Sequence, residues 1–219
     1  MVINNKKRVA KLLWFIIFSP LAIILAGLLA VGLFADIPSF EELEDPKSNL
    51  ATQIISDNGT PINSFHIENR SYITFDQIPQ GVRDALVATE DVRFYKHSGI
   101  DLKSLARVAI KSFLMGNRNT GGGGSTLTQQ LAKTLFPRDT VKSRIPGAKF
   151  AVLAGNKLKE WITAVKIERN YAKDEILTMY LNTVFFGSNA YGIETAANTF
   201  FGKNTKDLKI EEGALLVGM

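Results

Sequence analysis

The sequence predicts a mainly α-helical domain carrying a small β-hairpin and preceded by one transmembrane helix. Three observations lead there. An uncharged apolar run fills residues 12–35, an Asp57-Asn58-Gly59 turn separates two short strand-like runs, and beyond Pro79 the apolar residues recur at helical spacing. With 219 residues, 46% of them hydrophobic, the chain suffices for one packed domain plus an anchor, and not for two large domains.

The elements follow in order. Residues 1–11 form a basic tail, with Lys6, Lys7, Arg8 and Lys11 ahead of the span, while Asp36, Glu41, Glu42, Glu44 and Asp45 come after it. Residues 12–35 exceed the roughly 20 needed to cross a bilayer as a helix. A cleaved signal would have a shorter apolar core and a small-residue cleavage site, for which Leu33-Phe34-Ala35 is weak, so an uncleaved anchor is expected. The flanking charges predict a type II orientation, with the tail in the cytoplasm and the rest outside. The tail carries +4 of the formal charge of +5, leaving about +1 beyond it, so the basic balance does not point to nucleic acid. Without cysteine, neither a disulfide framework nor a thiolate metal site is available.

Residues 36–50 are acidic, contain Pro38 and Pro46 and suit a linker. The domain then occupies residues 51–219. Residues 52–65 read as a hairpin, and residues 72–75 add a third strand. Helical stripes follow at Val82, Ala85 and Leu86; at Leu102, Leu105, Ala106, Ala109, Ile110 and Phe113 after an N-cap at Asp101; at Leu127, Leu131 and Leu135; at Leu158, Ile162 and Val165; and at Ile176, Leu177, Tyr180, Leu181 and Val184. Residues 108–115 are assigned to the core rather than to a bilayer interface. The apolar ending at residues 215–219 leads us to expect a domain that continues past Met219.

Glu90 and Asp91 stand in TEDVRFYKHSGID, and GGGGSTLTQQLAKT follows at residues 121–134. Glu90 falls four residues after Leu86, at the negative end of a helix and beside a second carboxylate, a setting that suits a general base; a solvated acidic helix end has the same pattern. His97 reads as a structural histidine holding the turn before Gly99, because His66 is the only other histidine and no ligand spacing accompanies it. Thr126 and Gln129 fit a capping box, which would start a helix with free amides, a ready site for phosphate. The glycine-lysine-serine ending of a nucleotide P-loop is missing. Thr126, Gln130 and Lys133 form a polar stripe opposite the leucines, with Lys133 placed to face a pyrophosphate, though a solvated face looks alike. Lys157 and Glu160, three residues apart, read on spacing alone as an exposed helix face.

Taken together, these segments resemble the peptidoglycan glycosyltransferase domain of class A penicillin-binding proteins and monofunctional transglycosylases. The likeness covers residues 75–219 in motif order: TEDVRFYKHSGID, GGGGSTLTQQLAKT, KLKE, ILTMYLNTVFFGSNAYGIETAA and FFGKNTKDLKIEEGALLVG. It implies a lysozyme-like fold and a bacterial enzyme of the cytoplasmic membrane whose catalytic domain lies outside. The implied reaction polymerises lipid II into β-1,4-linked glycan strands and releases undecaprenyl pyrophosphate. Glu90 matches the catalytic base and Glu160 the second glutamate. Lys133 and Lys157 match phosphate-contacting residues; Ser125, Thr126, Gln129 and Gln130 match the donor pocket; Asp91 and His97 match residues that shape the first motif.

The resemblance implies no obligatory cofactor, although a divalent cation would suit the pyrophosphate. Its partners would be lipid II, the growing glycan, membrane lipid, a moenomycin-type inhibitor and other cell-wall synthesis proteins. The chain departs from the pattern at Asn156 and near Val152, where arginines are expected; Arg138, Lys142, Arg144 or Lys149 would have to supply that charge from a longer connection. Two other readings stand beside it: a lysozyme-like hydrolase or lytic transglycosylase, and a non-catalytic cell-wall scaffold.

Overall fold

The computed structural model describes residues 2–34, 38, 52–55, 57, 61–65, 69–115, 123–138 and 148–219. Asn58, Gly59, Gly121, Gly122, Lys142, Arg144 and the linker apart from Pro38 lie outside them. Two compact units emerge, one of Met1–Ile37 with Asp139–Ile162, the other of Pro38–Arg138 with Thr163–Met219.

In the first unit, helix α1 runs through Val2–Phe34, as the apolar run requires. Leu12, Phe15, Ile23, Leu29 and Leu33 are exposed along it. Among the described residues no helix is long and apolar enough to cross a membrane. Gly27 lies against Leu158 of helix α5 (Ala148–Asn170), where a Cβ would come within 3.0 Å of the leucine Cδ1.

The second unit is mainly helical, as expected. Strands β1 (Thr52–Ile55) and β2 (Pro61–Phe65) pair antiparallel, with a bulge between Ile54 and Ile55. The third strand is displaced from its predicted place: β3 is Asn69–Arg70 and pairs in parallel with β4, Ala190–Tyr191. Residues 72–75 are diverted by Asn182, whose side-chain amide accepts from Ile73 N at 3.1 Å and donates to Ile73 O at 2.9 Å, so no strand partner is needed.

Helices α2 (Gln80–Glu90), α3 (Leu102–Met115), α4 (Leu127–Leu135), α6 (Lys173–Thr183), α7 (Ile193–Phe201) and α8 (Ile210–Val217) complete it, with the C-terminal part of α5. Val82 and Leu86 of α2, Leu127 and Leu131 of α4, Ile167 of α5, and Ile176, Leu177 and Leu181 of α6 are buried together with Phe94. The predicted stripes on α2, α4 and α6 therefore face the core. The stripe on α3 does not: Leu102 is 73% and Ile110 58% exposed, with Ala106 and Ala109 also outward. Leu105 and Val108 turn inward, close to Gly124, while the side chains of residues 112–115, Phe113 among them, lie outside those described.

Candidate active site

Glu90 ends α2 and Asp91 is its C-cap, and the two neighbouring carboxylates have different surroundings. Asp91 is buried. Its Oδ2 accepts from Leu127 N at 3.1 Å and lies 2.9 Å from His97 Nε2. Gly99 N donates to His97 Nδ1 at 3.2 Å, which leaves the ring hydrogen on Nε2 to be given to Asp91. Gly99 has φ +89°, and a Cβ there would lie 2.9 Å from the Ala164 backbone, so glycine is required. His97 is thus the turn-holding residue that its sequence context predicts.

The start of α4 corrects two expectations. Thr126 caps it by accepting from Gln129 N at 3.2 Å, yet the Gln129 side chain does not turn back to close a capping box. Instead Gln129 Nε2 donates to Gly99 O at 3.0 Å, beside the Thr126 hydroxyl at 2.7 Å. The amides expected to be free for phosphate are partly taken: Leu127 N is bound by Asp91 and Gln129 N by Thr126, so the positive helix end already holds a carboxylate. Thr126 and Gln129 are buried and serve this framework.

Glu90, by contrast, is half-buried, and its Oε2 accepts from Gln130 Nε2 at 2.7 Å. Gln130 Oε1 in turn accepts from the Tyr180 hydroxyl of α6 at 2.9 Å. Lys133 is exposed one turn past Gln130 on the same helix, so the polar stripe of α4 does pass from the base toward a cation. A cleft of about 270 Å³ opens at this corner, lined by Glu90, Asp101, Ser104, Arg107, Gly124 and Ser125 among others.

The far wall of the cleft is fixed by Asp101. It caps α3 by accepting from Lys103 N and Ser104 N, both at 3.0 Å, and pairs with the Arg93 guanidinium through both oxygens. The hydrogen-bonded Arg93 holds the Asp101 carboxyl well below the usual range, against the opposing effect of burial and with help from Ser104.

In the other unit, Lys157 Nζ lies 3.0 Å from Glu160 Oε2. Glu160 is only 6% exposed and Asn156 is buried, so this is not the exposed helix face that the spacing suggests. Lys149 and Val152 lie on α5 itself, not in a loop, and Arg138 is exposed after α4. Among the described residues no group of three or more acidic or histidine side chains could hold a metal ion.

Sequence reasoning missed Tyr180, read only as core, and Arg93, Ser104 and Arg107. The Arg93 pairing spans eight residues across a turn, and Tyr180 lies fifty residues from Gln130. No periodic signal could have found either.

Residues 58–219 match the family described as Transglycosylase. The chain is 41% identical to penicillin-binding protein 1F of Bacillus subtilis over 170 residues, covering 77% of this chain and 22% of that protein. It is 38% identical to penicillin-binding protein 1A of Aquifex aeolicus (84% of this chain, 24% of the relative) and 34% identical to penicillin-binding protein 1A of Escherichia coli (94% and 23%). The chain thus spans about a quarter of the length of these relatives.

Proposed function

From its membership of the transglycosylase family, which the chain plainly belongs to, we propose that it is a membrane-anchored peptidoglycan glycosyltransferase that polymerises lipid II. The acceptor 4-hydroxyl attacks C1 of the donor as its proton passes to the Glu90 carboxylate. The bond from C1 to the pyrophosphate oxygen breaks, undecaprenyl pyrophosphate departs, and C1 is inverted. One observation carries this reading: Glu90, half-buried and held by an amide donor, lines an open cleft, while its neighbour Asp91 is buried and tied through Oδ2 to Leu127 N and His97.

Lys133, exposed one turn beyond Gln130, supports a role in stabilising the departing diphosphate, where fixed positive charge matters most as the bond breaks. Lys157 and Glu160 are proposed to act at phosphate, directly or through a divalent ion; the burial of Glu160 beside Lys157 supports a functional rather than a solvated reading. Ser125, on the cleft wall, is proposed to contact donor. The uncharged run of the sequence at residues 12–35 and the basic residues ahead of it support a type II anchor, and the outward Leu102 and Ile110 of α3 support a domain resting against lipid at the outer surface of the cytoplasmic membrane. A moenomycin-type donor mimic is expected to compete for the cleft.

Labelled lipid II mixed with the protein in detergent, with and without chelator, tests the reading. Wild-type protein should yield long glycan, and Glu90→Gln should lower the rate by at least about a thousandfold, the scale of losing a base together with its charge. Polymerisation by that variant at the wild-type rate overturns the mechanism, and release of soluble fragments from purified cell wall would make the protein a hydrolase.

A further inference from the structure

We propose that Tyr180 is a positioning residue for the reaction, acting through Gln130 to fix the donor that orients Glu90. The proposal rests on the reading of Glu90 as the base. It starts from a chain of two hydrogen bonds across three helices: Tyr180 Oη to Gln130 Oε1 at 2.9 Å, and Gln130 Nε2 to Glu90 Oε2 at 2.7 Å.

A glutamine amide offers donors at one end and an acceptor at the other, and a half-turn about its last torsion exchanges them. An amide turned the wrong way would set its oxygen against the Glu90 carboxylate. The acceptor-only carboxylate selects the NH2 end, and the phenol, donating to Oε1, holds the amide in that orientation from the other side. Among the described residues no second donor reaches Glu90, and its Oε1 is left for the proton of the attacking hydroxyl. The carboxylate of a general base must be held within a fraction of an ångström of its productive place, and a base at the last residue of a helix has little backbone support of its own.

Tyr180 is suited to the task because its ring is packed in the core. It is 8% exposed on α6, between buried Leu177 and Leu181. It is also a dependable donor: burial and the nearby Glu90 charge push the phenol up to about 12, so it keeps its hydrogen throughout the neutral range. A tyrosine that merely needed a partner for its hydroxyl would be content with any carbonyl. This one gives its hydrogen to the amide that, among the described residues, touches the base.

Tyr180→Phe keeps the ring and removes the tether. In the lipid II assay kcat should fall about five- to twentyfold with KM changed less than twofold, as expected for one hydrogen bond that matters to orientation and not to binding. The same substitution in a Gln130→Ala background should add almost nothing, because the chain is already broken. A second readout does not depend on turnover: the Gln130 side-chain amide pair in a nitrogen-15 spectrum, identified by its loss in Gln130→Glu, should be resolved in wild-type protein and collapse toward the free-glutamine position in Tyr180→Phe. Unchanged amide signals, or additive losses in the double variant, overturn the inference. If wild-type protein makes no glycan, the functional reading falls, and the amide signals still decide whether Tyr180 orients Gln130.

Discussion

Helices α3 and α4 flank the same glycine run and both are amphipathic, yet α4 buries polar residues beside its leucines while α3 exposes apolar ones beside its lysines. On α4 the polar residues Thr128 and Gln129 are as deeply buried as Leu127 and Leu131, and each finds a specific partner: Glu168 for Thr128, Gly99 O for Gln129. On α3 the apolar residues Leu102 and Ile110 face outward among Lys103, Arg107 and Lys111. Amphipathicity therefore states only that a helix has two faces. Which face turns inward depends on what the surroundings offer, and around α4 the surroundings are polar groups that must be satisfied.

The largest effect expected from this contrast lies beneath α4. Glu168 is buried to 4% exposure and holds Thr128 Oγ1 at 2.6 Å and Lys173 Nζ at 2.7 Å; Lys173 also donates to His97 O at 2.8 Å and sits over the Phe94 ring. Lys173→Met would leave an uncompensated carboxylate under the helix. Denaturant unfolding should show a loss of about 3 kcal/mol or more, the usual cost of removing one partner of a buried pair. A loss below about 1 kcal/mol would mean that α4 does not depend on its polar underside.

The cap of α3 comes next. Asp101→Asn keeps a good N-cap but removes the charge facing Arg93, which is itself 30% exposed, so about 1 to 2 kcal/mol is expected at neutral pH. The sign of the pH dependence follows from the direction of the shift. Because the folded carboxyl is held below its unfolded value by Arg93, its contribution is complete above the ordinary aspartate range and drains away as pH falls from about 4 downward. Wild type and Asp101→Asn should therefore converge in stability at low pH; curves that stay parallel would remove Asp101 from the account.

These residues also show where sequence stops being informative. The leucine stripe of α4, the Asp101 cap, the hairpin and the turn-holding His97 are local patterns, set by residues within one or two turns of each other, and all were legible. The capping box at Thr126 was half legible: the backbone half is local, but the Gln129 side chain had a competing acceptor thirty residues upstream at Gly99. Residues 72–75 had the composition of a strand, and Asn182, more than a hundred residues away, decided otherwise. Glu160 and Lys157 were legible as a pair, but the burial of Glu160 was not. At the candidate site, position and residue type marked Glu90, while the Gln130 and Tyr180 chain that holds it exists only once three helices are packed.

The smallest effect on stability, and the most telling for α3, comes from its outer face. Leu102→Ser with Ile110→Ser removes apolar surface that touches solvent, so unfolding in aqueous detergent-free buffer should change by less than about 0.5 kcal/mol. If the face rests on lipid, the same pair should weaken binding of a variant lacking residues 1–50 to anionic vesicles, since each buried side chain contributes about 1.5 to 3 kcal/mol. A core helix gives the opposite pair of results: a large loss of stability and no change in vesicle binding. The two measurements together decide whether the outer face of α3 meets solvent, a lipid surface or the protein core.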